Sequence, residues 1–265
     1  MELAIMNKKV GTFGLAAAWS LQEQKIITGG EGGILLTNDE CLYHRALLQG
    51  HYNNRCKQEI PRESPLQEFV LTGYGLKLRA HPLAIALAAE QFTHLDEWQQ
   101  QKQLYVEQFI KALTAYPFLK MPRFEGKQPS WYALVMQYNE AEANGLSLDL
   151  FHQALLAEGL TEADRPGSTG PISHLPLFSK PHLAFPQLYS GPIEQHEQFP
   201  CAEAFYRQAL KLPVWTFPDE QPMVDAYIQG IQKVADVILH NPDVLRRTTK
   251  GEGRRLYGTP NSHFI

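Results

Sequence analysis

The sequence predicts an α/β fold, and three observations carry that reading. Residues 16–20 and 34–37 are short apolar runs joined by a polar loop and the cluster Gly29, Gly30, Gly32 and Gly33, the pattern of two buried strands and a tight turn. Residues 83–113 keep an apolar side at helical spacing for the longest stretch in the chain. A further strand-like run at 130–138 alternates with helical segments beyond it. At 265 residues the chain has room for one large domain or two modest ones.

Each element has a local cause. Val10 to Gly14 enters the first strand almost at once. After the glycine turn, Asn38, Asp39 and Glu40 supply an N-cap and an acidic first turn for a short helix running from Cys41 to Gly50. Residues 51–65 are polar, carry Asn53, Asn54 and two prolines, and read as a loop. A second glycine-bearing loop, 73–82, holds Lys77 and Arg79, and Pro82 opens the long helix. That helix is alanine-rich at its start and amphipathic at its end, which suits a connector between domains. The boundary is therefore expected at 97/98. Ser147 caps a helix at 148–158 that Gly159 closes. Residues 163–191 are rich in proline, glycine and serine and read as a loop carrying His174. Another helix begins near Pro200, a short strand lies at 210–214, and a closing helix covers 221–239. The segment 241–265, with Arg246, Arg247, Lys250, Arg254 and Arg255 among few apolar residues, is expected to be a flexible tail.

Composition excludes several classes. An apolar fraction of 44% supports a sizeable core, and a formal charge of -4 gives no reason to expect nucleic-acid or anionic-membrane binding. Cys41, Cys56 and Cys201 are widely spaced and odd in number, so neither a zinc motif nor a disulfide framework is indicated. No metal site, signal peptide or uncharged apolar run of about 18 residues is present in the sequence, which predicts a cytoplasmic location.

The chemistry-bearing residue is Lys25. It stands five residues after Ser20, between the first apolar run and the glycine turn. An amine sequestered beside two buried strands loses hydration, and such an amine can attack a carbonyl. A plain surface lysine at a strand end is the competing reading. The glycines could equally be an ordinary hairpin turn, Ser20 and Gln22 loop-capping polar groups, Lys77 and Arg79 a solvated loop, and His174 loop packing. Glu31 offers a structural counter-charge.

Gly11-Thr12-Phe13-Gly14 through Lys25 and Gly29 to Gly33 resembles the DegT/StrS group of sugar and cyclitol aminotransferases. The family pattern there is a GTFGD-like turn, Ser-Phe-x-x-x-Lys and Thr-x-Gly-Glu-Gly-Gly. Gly75 to Asp96 is similar to the family's Gly-x-Asn-Tyr-Arg-Met segment and its following helix. Phe199 to Glu203 with Leu210 to Pro213 is similar to its Pro-x-Ala-Glu and Ser-Leu-Pro elements, and His174 to Phe178 falls at its histidine loop. Leu15 stands where an aspartate is common, and Lys77 stands at an asparagine that contacts cofactor phosphate from the neighbouring subunit.

The resemblance implies the C-terminal portion of a fold-type-I large domain over 1–97, a small α/β C-terminal domain over 98–240, and a homodimer. It implies pyridoxal 5'-phosphate as cofactor, held by a Schiff base to Lys25, which would move a proton between substrate Cα and cofactor. Ser20, Gln22 and Lys77 are the implied cofactor contacts, Arg79 and His174 the implied substrate contacts. The implied reaction moves an amino group from glutamine or glutamate to a keto-sugar or keto-cyclitol; a dehydratase relative would replace the lysine. The family's phosphate-binding turn, ring-stacking aromatic and pyridinium-pairing aspartate precede this stretch and have no counterpart in the first ten residues. A truncated non-catalytic remnant, or one part of a split enzyme needing a separate N-terminal polypeptide, is therefore the alternative expectation.

Overall fold

The structure is a computed structural model that describes residues 4–5, 8–124, 127–166, 170–193 and 199–250. The strands are β1 (Ala4–Ile5), β2 (Lys8–Lys9), β3 (Ala16–Ser20), β4 (Gly33–Thr37), β5 (Leu119–Lys120), β6 (Lys127–Gln128), β7 (Leu134–Tyr138) and β8 (Ala209–Leu212). The helices are α1 (Glu40–Gly50), α2 (Asn53–Glu59), α3 (Pro82–Thr93), α4 (Leu95–Leu113), α5 (Leu148–Ala157), α6 (Pro176–Ser179), α7 (Pro181–Ala184), α8 (Pro200–Gln208), α9 (Gln221–His240) and α10 (Pro242–Lys250). The chain divides into two compact units, one of Met1–Gln103 with Arg123–Tyr132, the other of Leu104–Pro122 with Ala133–Ile265. The division falls inside α4, after Gln103.

In the first unit β3 and β4 form an antiparallel pair in the register Ala16↔Thr37 to Ser20↔Gly33. A second small sheet has the order β2-β1-β6. Asp39 caps α1 by accepting from the Leu42 N–H, as the acidic start predicts. Two small cores result. Leu21, Ile27, Ala88 and Leu95 form one, and Leu48, Cys56, Ile60 and Val70 form the other.

The second unit is built on the antiparallel sheet β5-β7-β8, with Leu134 opposite Leu212 and Met136 opposite Leu210. Ser147 caps α5 by accepting from the Leu150 N–H. Its Phe151 stacks on Tyr138 at 5.1 Å and meets Phe118 edge-on at 6.3 Å. From α9, Val224, Tyr227, Ile231, Val234 and Ile238 are buried at three- and four-residue spacing, the single apolar face of an amphipathic helix. Asp164 and Lys211 exchange backbone hydrogen bonds and an ion pair of 2.9 Å, which ties the 163–166 segment to β8.

Five local expectations need correction. The stretch expected as a loop at 51–65 contains α2, because Arg55 pairs with Glu59 one turn on at 2.7 Å and Cys56 is buried against Leu48 and Ile60. The single helix expected from 83 to 113 breaks at His94, whose N–H bonds to Gln91 and Phe92 carbonyls. The proline-rich stretch at 163–191 includes the short helices α6 and α7, each started by a proline at its first position. Within the segment expected to be a tail, residues 242–250 are helical, and the side chain of Arg246 bonds Asp243 and the Asn144 carbonyl; 251–265 lie outside the described residues. The runs 16–20 and 34–37 form their strands but neither is buried: β3 is half-buried to exposed along its length, and Ile34, Leu35 and Leu36 are 37%, 49% and 58% exposed. Among the described residues β4 has one strand neighbour, β3, and no helix long and apolar enough to cross a membrane occurs.

Candidate functional site

The loop that carries Lys25 is held at both ends by backbone. Directly after β3, Leu21 is fully buried; its N–H donates to the Gly32 carbonyl at 2.9 Å, and its own carbonyl accepts from the Gly29 N–H and from Thr28 Oγ1, both at 3.0 Å. Inside that closure the Lys25 N–H donates to the Gln22 carbonyl at 2.9 Å, a tight turn that fixes where the lysine leaves the chain. The glycines are structural in two ways. A Cβ on Gly29 would stand 2.8 Å from the Ala84 carbonyl oxygen, so only glycine lets the turn seat against the first turn of α3. Gly30 and Gly32 hold φ of +83° and +146°, a region that side chains disfavour. Thr28 completes the seat, its N–H donating to Gln91 Oε1 at 2.9 Å.

Lys25 is half-buried and lines a cavity of about 160 Å³ together with Trp19, Ser20, Gln24, Trp131 and Tyr132. All of these belong to the first unit. The Nζ atom lies 4.3 Å from the centroid of the Tyr132 ring, within cation–π range. The Tyr132 hydroxyl donates to Gln24 Oε1 at 2.7 Å. Lys102, 7% exposed, also lines this cavity, and its Nζ donates to the Trp131 carbonyl at 3.3 Å.

The other expected residues are distributed as follows. Ser20 is exposed at the end of β3, and its Oγ accepts from the Gln22 N–H at 3.2 Å. Gln22 Oε1 accepts from the Gln24 N–H at 2.9 Å. Lys77 is exposed on the loop between α2 and α3. Arg79, on the same loop, lines a different cavity of the first unit, about 830 Å³, beside His81, Tyr52 and Arg55. There Arg55 is already engaged: it donates to Glu59 at 2.7 Å and to the Tyr43 hydroxyl at 2.9 Å, and Tyr43 also donates to Glu59. Arg55, then Tyr43, hold the Glu59 carboxyl below the usual carboxylate range. His174 belongs to the second unit, where its Nε2 lies 3.2 Å from Glu203 Oε1. Among the described residues no ion pair joins Glu31 to Lys25.

Gln24, Lys102, Trp131 and Tyr132 went unnoticed in the sequence. Tyr132 is over a hundred residues from Lys25, and the aromatic pair Trp131-Tyr132 reads as the start of a strand that in fact begins at Leu134. No local spacing signals that this pair returns to the lysine loop.

The arrangement places two amines, Lys25 and the more buried Lys102 that donates to the Trp131 carbonyl, with hydroxyl and amide groups around a small aromatic-walled space. The sequence matches the DegT/DnrJ/EryC1/StrS aminotransferase family over residues 2–223. An L-glutamine:2-deoxy-scyllo-inosose aminotransferase from Streptomyces kanamyceticus is 29% identical over 153 residues, covering 57% of this chain and 36% of that protein. The structure of an aminotransferase from Psychrobacter cryohalolentis superposes with a TM-score of 0.70 at 20% identity, over 90% of this chain and 60% of that one. A GDP-4-keto-6-deoxy-D-mannose-3-dehydratase from E. coli, solved with bound hydrated PLP, gives 0.65 at 18% identity, over 87% and 58%. The chain therefore spans about a third to three-fifths of the length of these proteins. The fold is that of the fold-type-I transferases, and the chain belongs to the DegT/DnrJ/EryC1/StrS aminotransferase family.

Proposed function

We propose, from membership in that family, that the chain carries the lysine-bearing part of an aminotransferase site that uses pyridoxal 5'-phosphate. The proposed reaction moves an amino group from glutamine or glutamate to a keto-cyclitol or keto-sugar. The observation that carries this reading is Lys25, a half-buried amine on a backbone-locked loop, facing a cavity. The donor set suits the cofactor's aldehyde end: Lys25 supplies a half-buried amine, the Lys102 amine donates to the Trp131 carbonyl, and Ser20 and Gln24 are neutral. At about 160 Å³ the cavity is smaller than the roughly 300–1,000 Å³ usual for ligand sites, so these residues supply one wall of a site and not its full enclosure.

Bound there, the cofactor would supply an electrophilic carbonyl and an electron sink for the bond to substrate Cα. Lys25 would hold the aldehyde carbon through Nζ, the carbonyl oxygen leaving as water, and once the substrate amine has displaced it the free Nζ would take and return the proton at substrate Cα. Ser20 Oγ and the Gln22 amide nitrogen would donate to phosphate; each uses its oxygen to accept a backbone N–H, which leaves its own hydrogens for a ligand. Lys77 would reach phosphate from a second copy of the chain, as a point charge on an exposed loop. Arg79 and His174 would contact substrate, and the homodimer and a cytoplasmic location complete the reading.

The test is direct. Purified chain mixed with pyridoxal phosphate should develop a visible absorption band, and borohydride should fix the added mass on the peptide containing Lys25. No band, or a band unchanged in Lys25→Ala, rejects the reading. A monomer by light scattering removes the dimer and with it the role of Lys77.

A second reading draws on the exposed apolar run of β4. It holds that the chain alone is non-catalytic and that activity needs a separate polypeptide covering this face. Cofactor capture without amino transfer from glutamine, restored by such a polypeptide, would favour it.

A further inference from the structure

Three independent restraints converge on Tyr132. Its ring lies 4.3 Å from Lys25 Nζ, and its hydroxyl donates to Gln24 Oε1 at 2.7 Å. The residue before it is anchored to α4: Trp131 Nε1 donates to Gln103 Oε1 at 2.8 Å, and the Trp131 carbonyl accepts from Lys102 Nζ at 3.3 Å. Trp131 also meets Phe124 edge-on with centroids 4.6 Å apart. Trp131 and Lys102 are 7% exposed each, whereas Tyr132 is 53% exposed. Tyr132 thus projects from an immobilised residue without being buried for its own sake. Core filling does not explain it, since half of its surface stays in water. What the ring does contact is the amine.

A lysine side chain has four rotatable bonds and sweeps a wide volume when unrestrained. The π face of a tyrosine attracts the N–H groups of such an amine, and here the ring plane is set at both ends, by the anchored Trp131 and by the Gln24 bond. Gln24 is itself held, because its N–H donates to Gln22 Oε1 at 2.9 Å. The chain of contacts runs from the lysine loop through Gln22 and Gln24 to Tyr132 and back to Nζ.

We propose that Tyr132 is a positioning residue for Lys25: its ring holds Nζ at the mouth of the cavity, ready for a planar aldehyde, and Gln24 fixes the orientation of the ring. The assignment rests on the reading of Lys25 as the carbonyl-capturing amine. An exposed cation–π contact changes the population of ammonium held beside the ring by roughly two- to five-fold, and Nζ gives one proton to solvent before it attacks; the contact sets the size of the effect.

The full chain, labelled with carbon-13 at lysine Cε, tests the contact without cofactor. The Lys25 resonance, identified by its loss in Lys25→Arg, should sit upfield from ring current, stay there in Tyr132→Phe, and return to the free-lysine position in Tyr132→Leu. Gln24→Ala, an exposed-site change that leaves the ring in place but untethered, should move it part of the way. Borohydride-fixed capture of pyridoxal phosphate on Lys25 should slow roughly two- to five-fold in Tyr132→Leu and hold in Tyr132→Phe. An unshifted Lys25 resonance, or unaltered capture in a folded Tyr132→Leu, overturns the assignment while leaving the lysine reading intact. No capture by the unsubstituted chain, with the upfield resonance present, overturns the lysine reading and the assignment with it.

Discussion

β4 in the first unit and β7 in the second are both five-residue, mainly apolar strands in antiparallel sheets, and they have opposite fates. Leu134, Met136 and Tyr138 of β7 are 0%, 0% and 1% exposed, whereas Leu35 and Leu36 of β4 are 49% and 58% exposed. β7 has a strand on each side, β5 and β8, and Phe151 of α5 stacked on its Tyr138. β4 has β3 on one side only among the described residues. An apolar run without alternation is what a strand covered on both faces carries, so β4 has the composition of a covered strand without the cover. Strand-forming tendency and burial are thus separate properties: the first belongs to the run of residues, the second to what packs on it. The contrast also explains where chemistry can sit. The second unit encloses β7 beside the rings of Phe118 and Phe151, while the first holds its lysine loop with backbone hydrogen bonds and glycine turns around two small clusters.

The contrast can be broken at its strongest point first. Phe151→Ala removes a ring packed on Phe118 and Tyr138 and should cost about 3–5 kcal/mol. In hydrogen exchange on the full chain, peptides from 134–160 should lose protection while those from 16–37 keep theirs; equal loss in both would mean that the two regions unfold as one. Gly29→Ala probes the other side. Its new Cβ, 2.8 Å from the Ala84 carbonyl oxygen, should cost about 1–3 kcal/mol and reduce protection at 20–37 together with cofactor capture at Lys25.

A smaller effect separates the units by pH. Burial, then the bond to Asp236, pushes the Tyr116 hydroxyl up to about 12, and burial also raises Tyr138. Each folded-state value lies above the unfolded value near 10, so the folded protein binds more protons between them. Their stabilisation is complete below pH 10 and is lost as pH rises through the folded values, at about 12 for Tyr116. Alkaline denaturation should start in the second unit, and Tyr116→Phe should flatten its pH slope by an amount of order 1 kcal/mol. The smallest change in stability is expected for Leu36→Lys on the exposed strand, within about 0.5 kcal/mol, together with reduced self-association in sedimentation velocity. Met136→Lys, the corresponding change on β7, should unfold its unit.

Much of this was legible in the chain. Asp39 and Ser147 each accept the backbone N–H that their positions predict, and the glycine cluster closes the turn between β3 and β4. The lysine stood out because a lone amine between an apolar run and a glycine turn is a local pattern. α2 was hidden, since the adjacent Asn53 and Asn54 signal a turn, and the Arg55–Glu59 pair needs the burial of Cys56 against Leu48 beside it to make the segment helical. The break at His94 was hidden too, because apolar periodicity carries through it.

Local order along the chain therefore determined the strands, the caps, the glycine turn and the candidate amine, all of which depend on interactions a few residues apart. Tertiary structure alone decided that Trp131 and Tyr132 come back to Lys25, that Arg79 faces a different cavity, and that β4 stays uncovered while β7 is enclosed. The reason is range. Hydrogen bonding in a turn is settled by neighbours in sequence, whereas burial and side-chain encounters are settled by segments that the chain places far apart and only folding brings together.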